Sequence, residues 1–93
     1  MHISRTVIGR IASDPYEIHY GCDLTQGMFV RAYRIDTDGH PDYTEPVYDE
    51  NERMTGLDVN RAMWLFSLFC LSVTEAGYYL RLQTAYTRGE IYP

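Results

Sequence analysis

Between Asp36 and Asp58 the chain places eight carboxylates (Asp36, Asp38, Asp42, Glu45, Asp49, Glu50, Glu52 and Asp58) against a single cation, Arg53. Nothing else in the sequence restricts the fold as much. Like charges this close repel one another and hold their backbone in solvent unless a cation or a basic partner neutralises them. The window carries a net −7 and the 93-residue chain only −5, so the remainder is mildly basic. The core is left to strands before the window and a helix after it.

A chain of 93 residues allows one domain with a modest core, burying roughly 60–65% of the unfolded surface. With 45% hydrophobic and 23% charged residues, the composition is that of a folded globular domain rather than a disordered one. The net negative charge disfavours direct contact with nucleic acid or an anionic membrane and favours a basic protein partner. Nine residues are Tyr and none is Lys. Tyr supplies rigid apolar area plus a hydroxyl, which suits sheets and interfaces alike.

Ile3 to Ala12 reads as a strand, with Ile3, Val7 and Ile11 on one face, and Ser13-Asp14-Pro15 supplies turn chemistry. Tyr16, Ile18 and Tyr20 alternate as a second strand. Gly21 to Gly27 reads as a loop, and Met28 to Ile35 as a third strand with Phe29, Arg31, Tyr33 and Ile35 on one face. Asp36-Thr37-Asp38-Gly39 is a turn, and Tyr43 to Tyr48 is a returning arm that Pro46 confines to a sheet edge. Asp49 to Met54 reads as polar linker.

Thr55 is placed as an N-cap, with Asp58 in the capping-box position. A helix follows from Leu57 to about Ala76, closed by Gly77. Tyr78 to Gln83 alternates and reads as a final strand. The expected fold is α+β: a mostly antiparallel sheet of four to five strands with one long apolar helix across it, in a single domain spanning residues 1–93. Val59, Met63, Phe66, Phe69, Cys70 and Val73 form the stripe expected to cover the sheet. Trp64, Leu65, Leu68 and Leu71 lie at least partly off it, and a helix apolar nearly all round needs cover on a second side. Trp64, Leu68 and Leu71 are therefore candidates for a homodimer interface.

The most apolar stretch, Ala62 to Val73, is too short to span a bilayer. The N-terminus lacks a basic-then-apolar signal pattern, so a cytoplasmic protein with reduced Cys22 and Cys70 is expected. Asp36, Asp38, Gly39, His40, Asp42 and Glu45 fall at positions three, five, six, seven, nine and twelve of an EF-hand loop. Arg34 occupies position one and Pro41 position eight, so a solvated hairpin turn is the better reading. His19 and Cys22 have zinc-like spacing without a second pair, and Cys70 reads as a core residue. The Gly-rich phosphate loops and the nucleophile elbow are absent, and no cofactor is expected. The chain reads as a non-enzyme.

What remains is a binding face built from Asp36, Asp38, Asp42, Tyr43, Glu45, Tyr48, Asp49, Glu50 and Glu52. Carboxylates along an extended arm imitate a phosphate backbone, and Tyr can take the place of a base. In size, in its acidic window, in its Tyr content and in lacking a catalytic constellation, the chain resembles anti-CRISPR proteins, the small acidic phage and mobile-element inhibitors of bacterial defence. The resemblance covers the character of the whole chain and no shared motif. It implies a non-enzymatic inhibitor that occludes an RNA-guided complex where its Lys/Arg-rich surfaces meet nucleic acid. The alternative is a structural protein that assembles through its helix; a metal-responsive domain using the Asp36–Glu45 loop ranks last.

Overall fold

The computed structural model describes residues 2–90. Its elements in chain order are β1 (His2–Ile11), β2 (Asp14–Asp23), β3 (Gly27–Arg34), β4 (Tyr48–Asn51), α1 (Glu52–Thr55), α2 (Val59–Leu68) and α3 (Val73–Thr87). The strands form one antiparallel sheet in the order β1-β2-β3-β4, so every neighbour in the sheet is also a neighbour in the chain. The expected α+β class is observed, with helices on one face of the sheet.

Strand alternation sends Tyr16, Ile18, Tyr20 and Cys22 of β2, and Met28, Val30 and Ala32 of β3, to the same side. There they meet Ala62, Leu65, Phe66 and Phe69 from the α2 region and Tyr79 and Leu82 of α3 in a single core. Each large side chain fully removed from water here contributes roughly 1.5–3 kcal/mol. Tyr20 packs edge-on against Phe66, and Tyr16 against Phe69. Close packing requires glycine at two strand positions. A Cβ on Gly9 would lie 2.8 Å from that of Phe69, and one on Gly21 would lie 1.9 Å from the Ile3 carbonyl oxygen.

Several local expectations are corrected. Gly21 sits inside β2, which runs on to Asp23; the loop is only Leu24 to Gln26, folded around the Asp23 carboxylate. The returning arm is Tyr48–Asn51 rather than Tyr43–Tyr48, and Asp49 to Met54 is ordered as β4 and the start of α1, not linker. Thr55 ends α1, its hydroxyl donating to the Asn51 carbonyl, and Asp58 itself caps α2 by accepting from the Arg61 N–H.

The helical arm is divided. α2 ends in a Schellman arrangement in which the Cys70 N–H reaches the Ser67 carbonyl and the Leu71 N–H the Phe66 carbonyl. Cys70 takes the left-handed position at φ 54° and is exposed, so it is not a core residue. Ser72 then caps α3 by accepting from the Glu75 N–H. Tyr78 to Gln83 is accordingly helix, not strand, and Gly77 lies within α3 rather than ending a helix. The covering stripe shifts with it: Leu65 is fully buried while Val73 is 89% exposed.

A candidate binding surface

The acidic window does not present one continuous face, because the fold distributes its carboxylates. Glu50 points to the helical side, where Arg61 grips both oxygens at 2.7 and 2.8 Å. That guanidinium lies 4.4 Å over the Trp64 ring and 5.8 Å over Tyr48. Glu52 turns inward to accept the Met28 N–H at 2.7 Å, joining α1 to the start of β3. Asp49, on the opposite face of β4, pairs with Arg31 at 3.1 Å.

Asp36 and Asp42 serve their own loop. The Asp36 carboxylate accepts the N–H groups of Asp38 and His40, and that of Asp42 accepts both the N–H and the hydroxyl of Thr44. The His40 N–H, followed by that of Asp38, holds Asp36 below the usual carboxylate range, and Thr44 does the same for Asp42. These are the local turns that Asp favours. They occupy the carboxylates that an EF-hand would aim at calcium. Among the described residues no three His, Cys, Asp or Glu side chains converge as metal ligands. His19 and Cys22 lie on opposite faces of β2, His19 outward and Cys22 in the core; burial pushes the Cys22 thiol up.

Asp38 and Glu45 remain exposed. Between them, Tyr43 reaches back over the sheet face that the helices leave open, and its hydroxyl donates to both oxygens of Glu17 at 3.0 and 2.9 Å. Glu17 also holds the His19 Nε2 at 2.9 Å. Accepting the phenol proton stabilises its neutral form, so the Tyr43 pKa is raised. His19, Tyr33 and Tyr43 close around this carboxylate as three mutually inclined rings, with centroids 5.0 to 6.0 Å apart. The loop and the open sheet face thus meet at one corner, lined by Glu17, His19, Tyr33 and Tyr43.

Of the nine expected binding residues, Tyr43 is the one whose contacts bring it to this corner; Asp49 and Glu50 are paired with arginines, while Asp38 and Glu45 are exposed in the loop that carries Tyr43. Glu17, His19 and Tyr33 are not among the expected binding residues; His19 figures in the sequence only beside Cys22 as a weak zinc-like pair. Glu17 and His19 share the parity of one strand face in β2, which was the available signal; that Tyr43 would fold back onto them was not encoded in any local spacing. Trp64 is 47% exposed, with its edge against Tyr48, while Leu68 and Leu71 pack partly onto the core.

Among the described residues no helix is long and apolar enough to cross a membrane. No family model matches the chain, and no characterised protein or solved structure is significantly similar to it.

Proposed function

We propose that this protein works by binding rather than by catalysis, as an inhibitor of a bacterial nucleic-acid-handling complex of the RNA-guided, CRISPR type. Its working surface is the corner where the 36–47 loop meets the open sheet face. The observation that carries this reading is the sorting of charge: most window carboxylates are hydrogen-bonded or ion-paired within the fold, whereas Asp38 and Glu45 are left exposed in the loop that carries Tyr43. A basic groove built to hold nucleic acid offers the complementary charge, and occupancy by this surface would block access. Bacterial cytoplasm is the setting this reading requires.

The test is nucleic-acid binding and cleavage by purified RNA-guided effector complexes, with and without the protein. Inhibition that weakens steeply with salt and is lost in the Asp38→Asn/Glu45→Gln variant supports the proposal. Absence of inhibition and of complex formation across the effector types overturns it. Self-association through α2 is the second reading, favoured by the half-exposed Trp64 ring. A concentration-dependent dimer by sedimentation that Trp64→Ala abolishes would support that reading.

A further inference from the structure

We propose that the corner formed by His19, Tyr33 and Tyr43 over the Glu17 carboxylate seats an arginine side chain of the partner. This rests on the binding reading above and adds the chemistry of its anchor. Tyr33 meets His19 at 61° and Tyr43 at 81°, and His19 meets Tyr43 at 50°. In this cluster the Tyr43 ring is the most exposed, and an exposed aromatic ring beside a carboxylate is a place that attracts a cation.

The carboxylate beneath them supplies the opposite charge. Its side chain is only 13% exposed, so a charge meeting it is less screened than at an open surface. A carboxylate offers about four acceptor positions. His19 contacts Oε1 and the Tyr43 hydroxyl is shared between Oε1 and Oε2, which leaves Oε2 able to accept one more N–H.

Among the described residues no arginine fills the seat. Arg31, the cross-strand neighbour of His19, is tied to Asp49 and Gln26 and lies 4.9 Å over Phe29. Arg34 lies over Tyr16, which belongs to the core side. Arginine fits better than lysine because a planar guanidinium stacks on the 57% exposed Tyr43 while still directing an N–H to Glu17; an ammonium is a compact, strongly hydrated point charge. Asp38 and Glu45 in the same loop draw a basic surface toward this point.

The experiment is an NMR titration of the isotope-labelled full chain with capped hexa-arginine and, separately, hexa-lysine. Saturable shifts at Glu17, His19, Tyr33 and Tyr43 are expected, with arginine binding several-fold tighter than lysine. Glu17→Gln should weaken arginine binding roughly tenfold. Tyr43→Leu, at an exposed position that does not endanger the fold, should remove the preference for arginine. Shifts confined to Asp38 and Glu45, or unchanged by either variant, would show that the corner merely pins the loop; that overturns the seat and leaves the binding reading standing. No response anywhere at low salt would overturn both.

Discussion

Arg5 grips both carboxylate oxygens of Glu75, Nε to Oε1 and Nη2 to Oε2, each at 2.9 Å, across 70 positions of sequence. Glu75 also accepts the hydroxyl of the buried Tyr20, and the Arg5 guanidinium lies 5.1 Å over Tyr78. One carboxylate therefore ties α3 to both β1 and β2.

Glu75→Gln should destabilise the protein by about 1–2 kcal/mol at neutral pH, the range of a charge-assisted hydrogen bond discounted for the half-exposed arginine. Hydrogen bonds from Arg5, followed by that from Tyr20, hold Glu75 below its ordinary 4.5. A carboxylate whose pKa is lower folded than unfolded adds stability that is fully present above the unfolded value. That stability is lost as pH falls through the folded value. The gap between wild type and Glu75→Gln in thermal melts should thus be constant from pH 7 to 5 and shrink below about 4.5. A gap that widens in acid would contradict this.

Gly21→Ala should be among the most damaging single changes. The added methyl would sit 1.9 Å from a backbone oxygen of β1, and no side chain can move aside to make room. A loss of about 3 kcal/mol or more, or failure to fold, is expected in denaturant titration.

Two substitutions to glycine should instead stabilise. Ala12 has φ 54° at the first position of the two-residue turn joining β1 to β2, where a type II′ turn takes glycine. Cys70 has φ 54° at the end of α2. Ala12→Gly and Cys70→Gly should each gain up to about 1 kcal/mol by relieving left-handed strain. The sites are separate, so the double variant should gain the sum.

Leu65→Ala and Trp64→Ala, adjacent on α2, should differ sharply. Leu65 is fully buried, and its truncation should cost about 2–5 kcal/mol. Trp64 is half exposed and stacked by Arg61, so its removal should cost roughly 1 kcal/mol or less. Urea midpoints for the two variants decide the point.

Neutralising the free carboxylates should separate stability from function. Asp38→Asn/Glu45→Gln should leave the melting temperature within about 2 °C of wild type, while binding to a basic partner falls. A marked loss of stability would mean these side chains hold the loop.

The strands were legible because β1, β2 and β3 alternate cleanly, and parity alone placed Tyr16, Ile18 and Tyr20 on one face. The helix break was less so. Its C-terminal signal is normally glycine, and Cys70 occupies that position. Its N-terminal signal was present: Ser72-Val73-Thr74-Glu75 has the spacing of a capping box, although the Glu75 side chain leaves the box to meet Arg5. Once Ser72 starts a helix, buried Tyr79 and Leu82 fall at helical spacing, and the apparent alternation of Tyr78, Leu80 and Leu82 loses its meaning. The acidic window was visible as charge, but its pairing was not: Glu50 with Arg61, Asp49 with Arg31 and Tyr43 with Glu17 depend on which face of β4 or which turn each residue lands on, and no local spacing shows that.

A sheet whose strands are paired in chain order can assemble hairpin by hairpin, each closure spanning few residues. The helices that cover it, α2 and α3, follow the strands in the chain. On the ribosome, β1 to β4 emerge before α2 and α3, so Tyr20, Met28 and Val30 have their apolar side uncovered until the helices arrive. The docking of α3, with Glu75 meeting Arg5, is then the step that ends this vulnerability to aggregation. A chain truncated before Ser72 would keep the strands and α2 and lose the part of the cover that Tyr79 and Leu82 supply.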